Sequence, residues 1–159
     1  MKTLRIIVAG GRDFSNYTTL SNVLNEYLSV ASKTGKYDIK SVEFISGRAR
    51  GADSLGERYA NQNCYLLNMF PANWNFMGKP AGYYRNEIMA KFATMDRDNY
   101  DAVLIAFWNG ESAGTKHMID LAKQYDFDDI KIINYKSNSI KLGNSPEETE
   151  LNNIKSLIN

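Results

Sequence analysis

The chain is poor in the residues that disulfides and many metal sites require. It has one cysteine, Cys64, and one histidine, His117, among 159 residues. An intramolecular disulfide is therefore excluded, and a metal site built from cysteine and histidine ligands cannot be assembled, so we predict no metal and no cofactor. A single thiol is typical of proteins in the reducing cytosol, and we expect a cytoplasmic protein.

Long hydrophobic runs and an excess of charge of one sign are also missing. The N-terminal apolar run ends at the double glycine of residues 10–11 and lacks the features of a signal peptide. No segment approaches the length of a membrane span, so we expect no membrane partner. The 19 lysines and arginines nearly balance the 18 aspartates and glutamates. A protein this close to neutral has no general attraction for nucleic acid or anionic membranes, so any anion binding must be local.

Segments with strand and helix patterns alternate along the chain, which is long enough to bury a proper core. Continuous apolar runs predict five strands, at 4–10, 41–47, 64–70, 101–108 and 130–135. Apolar residues at helical spacing predict helices at 18–31, 51–62, 83–95 and 114–125, with an irregular stretch at 72–82. This alternation predicts an α/β fold, a doubly wound parallel sheet of about five strands.

The C-terminal part of the chain differs in composition from the rest. Residues 1–136 are predicted to form the single α/β domain, and 137–159 a polar linker followed by an amphipathic helix. Ser145, Pro146 and Glu148 supply the start signals of that helix. We expect the helix to pack on the domain or on a partner chain, which leaves a homo-oligomer open.

Three of the predicted strands end in glycine-bearing loops: "AGGRDF" (9–14), "SGRARGAD" (46–53) and "WNGESAGT" (108–115). Ligands of open parallel sheets lie outside the carboxyl ends of the strands, where such loops run into helix N-termini. Glycine lets the backbone approach a ligand closely, and a helix N-terminus suits a phosphate. None of the loops is a GxGxxG fingerprint or a GxxxxGK[ST] P-loop, so the standard dinucleotide and triphosphate interpretations fail.

Arginines concentrate at the same predicted edge. Arg12, Arg48 and Arg50 lie in two of the loops, and Arg85 begins the helix before the fourth strand. A guanidinium fork binds phosphate at two points, which a lysine cannot do. Each arginine alone could simply pair with a nearby carboxylate such as Glu57. Four arginines converging on one edge of a nearly neutral protein favour an anion site, and the 46–53 loop is predicted to hold a phosphate.

Five other residues have a structural and a functional interpretation. Asp53 lies in the first turn of its helix, where a carboxylate is stabilising, and it could equally accept a ribose hydroxyl. Thr115 could cap a helix or face a phosphate. Trp74 is the better candidate for stacking on a base, because Trp108 ends an apolar strand and fits the core. His117 has no evident serine or cysteine partner and is a poor candidate for a catalytic base.

Five motifs, in order, resemble the YspA-like members of the SLOG superfamily, which takes its name from the DNA-uptake protein DprA/Smf and the Lonely Guy enzymes. The motifs are "VAGGRDF", "SGRARGAD", "FPANW", "AGYYRNEIM" and "FWNGESAGTKHMI", within about residues 4–135. The resemblance implies a Rossmann-like fold that binds a nucleotide or a nucleotide-derived ligand, as a sensor, carrier or sequestering protein. From the loops, the arginines and this resemblance together, the predicted ligand- and phosphate-binding residues are Gly10, Gly11, Arg12, Asp13, Ser46, Gly47, Arg48, Arg50, Gly51, Asp53, Trp74, Arg85, Asn86, Gly110, Ser112, Gly114 and Thr115.

The Lonely Guy enzymes imply an alternative function. They are phosphoribohydrolases with an Arg-Lys-x-x-Met helix start and a Gly-Gly-x-Gly-Thr-x-x-Glu loop, whose arginine and glutamate are catalytic. The chain keeps the arginine as Arg85, with Asn86 in place of the lysine. It keeps Gly114 and Thr115 but has Met118 at the position of the glutamate, and a thioether cannot act as a base. A phosphoribohydrolase or N-glycosidase is therefore the alternative, with Arg85 as the best catalytic candidate.

Such an enzyme would need a carboxylate from another position. The candidates are Glu57, Glu87, Glu111 and Asp13.

A third function is suggested by DprA, which has a Ser-Gly-x-Ala-x-Gly-x-Asp loop and binds single-stranded DNA. Such binding requires a basic track along the backbone together with stacking aromatics. Aromatic residues make up 12% of the chain, but its net charge of +1 does not support an extended track. A single nucleotide fits this charge better than a strand, and a nucleic-acid partner is disfavoured.

Overall fold

A computed structural model of the chain describes residues 1–137 and 139–142. The strands are β1 (Thr3–Gly10), β2 (Glu43–Ser46), β3 (Leu66–Met69), β4 (Tyr100–Trp108), β5 (Asp129–Asn134) and β6 (Ser139–Leu142). The helices are α1 (Tyr17–Lys33), α2 (Ala52–Gln62), α3 (Trp74–Met77), α4 (Ala81–Thr94) and α5 (Ala113–Gln124), with a 3-10 turn at Ile39–Ser41.

The strands form one sheet in the order β3-β2-β1-β4-β5-β6. β1 to β5 are all parallel, which confirms the predicted α/β fold with five parallel strands. β1 and β4 pair along the whole of β1, from Thr3 opposite Tyr100 to Gly10 opposite Phe107. These two central strands therefore end together, at the carboxyl edge of the sheet.

Apolar residues pack against both faces of the sheet. Leu4, Ile6 and Val8 of β1 face the cluster that contains the buried residues of α1 and α2. Ile7 and Ala9 face the opposite cluster, with α4 and α5. This alternation, with both faces covered, explains why the strand is a continuous apolar run in the sequence. Among the described residues, no helix is long and apolar enough to span a membrane.

The C-terminal part of the described chain corrects one prediction. Residues 139–142, predicted to lie in a polar linker, form the edge strand β6, which runs antiparallel to β5 with Ile140 opposite Ile133. Polar and apolar residues alternate there, and Ile140 is buried against the core. An edge strand with polar neighbours resembles a linker in composition. The predicted helix that begins at Ser145 lies outside the described residues.

The stretch 72–82, predicted to be irregular, contains the single-turn helix α3. Asn73 caps this turn, because its side chain accepts a hydrogen bond from the backbone N–H of Phe76 at 3.2 Å. Four residues are too few for an apolar period to be visible in the sequence.

The order of the strands opens a crevice at the carboxyl edge. β2 and β3 lie on one side of β1, and the chain then crosses to β4 on the other side. The loops after β1 and β4 therefore lead to helices on opposite faces of the sheet, which is where open α/β sheets bind ligands. The loop after β2 lies next to them.

The β1–α1 and β2–α2 loops come into close contact at Gly51. Gly51 has a φ of 76° and a ψ of −126°, and a Cβ there would collide with the carbonyl oxygen of Gly11. The next residue, Ala52, donates its backbone N–H to the same carbonyl at 3.2 Å. This close approach requires glycine, both for its dihedral angles and for its lack of a side chain.

We expect Gly51→Ala to destabilise the protein more than Gly35→Ala. Gly35 also has a positive φ, of 71°, but a Cβ there would meet nothing within 4 Å. The control variant should lose about 1 kcal/mol, from backbone strain alone, and Gly51→Ala roughly 3 kcal/mol, because backbone atoms must also move. Urea unfolding of both variants measures the difference. Equal losses would show that the two loops do not depend on this contact.

Candidate functional site

A cavity of about 440 Å³ lies at the carboxyl edge, between the ends of β1 and β4. We call it the central cavity. Its base is apolar and consists of Ala9, Met89 and Met118, of which the two methionines are almost fully buried. Its walls are polar and come from the loops after β1, β2 and β4 and from the start of α4. An apolar base with a few converging polar groups is typical of sites for small organic ligands.

Most of the predicted site residues line the central cavity. They are Gly10, Gly11, Arg12, Asp13, Asp53, Trp74, Arg85, Asn86, Ser112, Gly114 and Thr115.

A second cavity, of about 470 Å³, adjoins the first. We call it the arginine cavity. The two share a wall, made of Arg12, Ala49, Trp74 and Arg85. Among the predicted residues, the arginine cavity adds Gly47, Arg48 and Arg50. The remaining three, Ser46, Gly51 and Gly110, line neither cavity.

Arg85 connects three segments of the chain. Its guanidinium donates to the carbonyl oxygen of Gly47 in the β2–α2 loop, and its Nε donates to Oδ1 of Asn86 at 2.9 Å. Asn86, which is buried, donates from Nδ2 to the carbonyl oxygen of Gly114 at 3.3 Å and lies 3.2 Å from Nδ1 of His117. The start of α4 is thereby fixed to the loops on both sides. Asn86 has a structural role here besides facing the cavity.

His117 takes part in this network and does not line the cavity. Burial lowers the pKa of its imidazole, so the neutral ring can accept the hydrogen of Asn86. The edge of the ring also contacts Tyr83, with the ring centroids 4.6 Å apart. These contacts give the histidine a packing role.

Arg48 is neutralised within the protein. Its Nη1 lies 2.7 Å from Oε1 of Glu57 in α2, and Oε2 of Glu57 accepts a hydrogen bond from Ser46 at 2.6 Å. Arg48 has a φ of 64°, in the left-handed region, and its backbone N–H donates to Oγ of Ser46 at 3.1 Å. Ser46, Arg48 and Glu57 therefore brace the loop, as the structural interpretation of Arg48 anticipated.

Arg12 and Arg50 keep their charge available. Both are exposed, and neither guanidinium has a hydrogen bond or ion pair with residues 1–137 and 139–142. The guanidinium carbon of Arg12 lies 5.8 Å from the centroid of the Trp74 ring. Trp74 is itself 47% exposed, so part of its side chain is accessible to a ligand.

Asp53 is the buried carboxylate of the central cavity. It is 6% exposed, and its Oδ2 accepts the backbone N–H of Ala49 at 3.3 Å. Burial raises its pKa to about 6, although the nearby Arg85 guanidinium and the backbone N–H groups act in the opposite direction. The same environment lowers the pKa of Arg85, mainly by desolvation. Near neutral pH, the Asp53 carboxyl can therefore hold or release a proton.

Asp13 has a different environment at the rim of the central cavity. The Tyr135 hydroxyl donates to its Oδ1 at 2.5 Å, and Lys136 Nζ lies 3.5 Å from its Oδ2. The Tyr135 hydrogen bond is the main cause of a lowered pKa for this carboxyl. A Cβ at Gly11 would collide with the Tyr135 hydroxyl, so Gly11 makes room for this contact.

The loop after β4 is held by its own side chains. Trp108 Nε1 donates to the carbonyl oxygen of Ser112 at 3.0 Å, and its ring packs against the core, as predicted. Asn109 Oδ1 accepts the backbone N–H groups of Glu111 and Ser112, both at 2.8 Å. Thr115 is buried, with its hydroxyl 3.3 Å from that of Ser112.

Sequence reasoning missed several residues of the central cavity. Lys79 comes from the irregular stretch before α4, where neither motif nor period marks it. Tyr83 lies within the motif at 81–89, of which only Arg85 and Asn86 were predicted as site residues. Asn109 also lines the cavity, and its position before Gly110 is a turn signal that could have been used.

The match to a known family covers those parts of the site that come first in the chain. The model of the YspA, cpYpsA-related SLOG family matches residues 4–76. The predicted family is confirmed over this stretch. The match includes the loops after β1 and β2 and Trp74, while the motifs at 81–89 and 107–119 lie beyond it. Similarity to this SLOG family suggests nucleotide-related ligand binding in general terms. No curated protein and no solved structure gave a significant match to the chain.

We expect Asp53→Asn to change how stability depends on pH. The folded pKa of Asp53, about 6, exceeds the ordinary value of 3.8, so the folded state binds this proton more tightly than the unfolded state. The resulting stabilisation is present at about pH 4 and is lost as the pH rises to about 6. Relative to wild type, the variant should gain roughly 2–3 kcal/mol between about pH 4 and about pH 7.

Urea unfolding of both proteins across that range measures this gain. Asparagine can still accept the N–H of Ala49, so the loop should be retained. A difference that stays constant with pH would show that Asp53 has an ordinary pKa.

Proposed function

We propose that the chain binds a nucleotide or nucleotide-derived ligand in the central cavity, as a sensor, carrier or sequestering protein. The observation that carries the proposal is the contrast between the apolar base of this cavity and the positive charge at its wall. Its base is apolar, whereas Arg12 and Arg85 stand at its shared wall and Arg12 has no anionic partner among the described residues. A nucleotide has the matching division into a flat, weakly polar base and a charged phosphate.

The arrangement suggests an orientation for such a ligand. The base would lie on Met89 and Met118 and could stack on the exposed part of Trp74. The phosphate would lie between Arg12 and Arg85, whose guanidinium forks suit its oxygens. The start of α5, at Gly114 and Thr115, offers further backbone N–H groups on the opposite side.

Hydrolysis of the bound nucleotide is a second candidate function, which one observation favours. Asp53 is a buried carboxyl group with a pKa of about 6 that lines the central cavity, and such a group can act as a general acid or base. Of the carboxylates considered from the sequence, only Asp13 lines this cavity; Glu57, Glu87 and Glu111 do not. Met118, at the position of the catalytic glutamate of Lonely Guy enzymes, belongs to the apolar base.

A turnover assay distinguishes binding from hydrolysis. A phosphoribohydrolase or N-glycosidase would release free base from one member of a broad nucleotide panel at high protein concentration, and Asp53→Asn would abolish the release. If chromatography shows no free base for any nucleotide, the enzymatic candidate fails and the binding proposal remains.

We expect Arg12→Ala to weaken nucleotide binding about 10- to 100-fold, because a charge-assisted hydrogen bond contributes roughly 1.5–3 kcal/mol. The nucleotide is first identified by mass spectrometry of the supernatant after denaturation of the purified protein, or by a thermal-shift screen. Titration calorimetry then measures its affinity for both proteins.

Arg58→Ala is the matched control. Arg58 lies on α2, outside both cavities, with its guanidinium 3.9 Å from the centroid of the Tyr17 ring. The Arg58→Ala variant removes the same charge as Arg12→Ala, so it corrects for the long-range electrostatic effect of losing one positive charge. Equal affinities for wild type and Arg12→Ala would contradict the proposed site.

A further inference from the structure

The arginine cavity is a second chamber that shares four lining residues with the central cavity. At about 470 Å³ it is as large as its neighbour, and each lies within the range of about 300–1,000 Å³ usual for ligand sites. Because Arg12, Trp74 and Arg85 line both chambers, a single ligand could pass along these side chains from one chamber to the other.

The charge of the arginine cavity is strongly one-sided. Four of its nine lining residues are arginines, and none is a carboxylate: Arg12, Gly47, Arg48, Ala49, Arg50, Pro71, Ala72, Trp74 and Arg85. Glu57 compensates Arg48 from α2, but Arg50 has no such partner among the described residues. In a chain of net charge +1, this is a local concentration of positive charge.

This concentration has an electrostatic cost in the absence of an anion. Burial is the main cause of the lowered pKa of Arg85, and the charge of Arg12, which lines the same wall, acts in the same direction. The apolar surfaces of Pro71, Ala72 and Trp74 reduce the solvation that would screen these two positive charges. The left-handed backbone at Arg48, braced by Ser46 and Glu57, holds the loop in an unfavourable conformation.

A single phosphate between Arg12 and Arg85 would not use this second chamber. It would be satisfied at the shared wall and would leave Arg50 without a partner. A second phosphate attached to the first would extend from the wall toward Arg50, whose positive charge has no partner among the described residues.

We infer that the arginine cavity is a subsite for a second phosphate, so that the ligand carries a chain of at least two phosphate groups linked to the nucleoside in the central cavity. The inference rests on the proposed function for the nucleoside part. It specifies the ligand class as nucleoside diphosphates and larger nucleotides that contain a pyrophosphate link. Recognition of the terminal phosphate is assigned to Arg50, which is exposed and whose guanidinium has no hydrogen bond or ion pair with residues 1–137 and 139–142.

The test is calorimetric titration of the full chain at fixed ionic strength, in the presence of EDTA. The probes are inorganic pyrophosphate and the 5′-mono- and diphosphates of the four common ribonucleosides. The proteins are wild type, Arg50→Ala and the matched control Arg58→Ala. Circular dichroism and thermal melts establish that all three have the same fold.

For at least one base, the diphosphate should bind wild type about tenfold or more tightly than the monophosphate. Arg50→Ala should remove about tenfold of the affinity for the diphosphate and for pyrophosphate, with less than about a twofold change for the monophosphate. Arg58→Ala should change none of these affinities.

Other outcomes would contradict the second phosphate subsite, the proposed function or both. If mono- and diphosphates bind equally well, or if Arg50→Ala weakens both equally, the second subsite is wrong and nucleotide binding stands. If pyrophosphate binds in an Arg50-dependent way but no nucleotide binds, the subsite stands and the proposed function fails. If none of the probes binds wild type, both are wrong.

Discussion

The contact between the β1–α1 and β2–α2 loops is the constraint on which the site depends. The carbonyl oxygen of Gly11 accepts the N–H of Ala52, and Gly51 makes the approach possible because it has no side chain. Arg12 follows Gly11 directly, and Arg50 precedes Gly51, so one hydrogen bond between two loops brings these two cations to the same edge. The contact thereby holds the loop that carries Arg12 of the common wall against the loop that carries Ala49.

The electrostatics of the site follow from burial as much as from the number of charges. Desolvation raises the pKa of Asp53 and lowers that of Arg85, so both groups are shifted toward their neutral forms. A phosphate bound there, as we propose, would reverse the effect on Arg85, because it would stabilise the charged guanidinium. The same phosphate would raise the pKa of Asp53 further, and a protonated Asp53 would not oppose an anion. The central cavity would then favour an anion more than the charges of ionised Asp53 and Arg85 suggest.

Features set by local patterns could be predicted from the sequence, and those set by long-range packing could not. The strand ends and the glycine loops are local features of the sequence. The convergence of the arginines follows from them once the sheet is known to be parallel. The pairing of Arg48 with Glu57 depends on how α2 packs beside the loop, and the sequence offered it only as one alternative. Strand β6 was missed because an edge strand buries little, and Lys79 because the path of its segment is irregular. The burial of Asp53, which determines its pKa, is likewise a property of the assembled fold.

Some residues of the site lie within the stretch that matches the family, and others lie beyond it. The matched stretch, residues 4–76, supplies Arg12, Arg48, Arg50 and Trp74, which are the groups suited to phosphates and to stacking. Beyond it lie Met89 and Met118, which form the apolar base of the central cavity with Ala9, and Ser112 and Thr115, which line its wall. Cationic loops can hold the phosphates of any nucleotide, because every nucleotide presents the same oxygens there. Discrimination between bases must come from the surfaces that the base touches. If the chain binds a nucleotide as proposed, side chains from α4 and α5, outside the stretch that matches the family, would therefore contribute most to the choice of base.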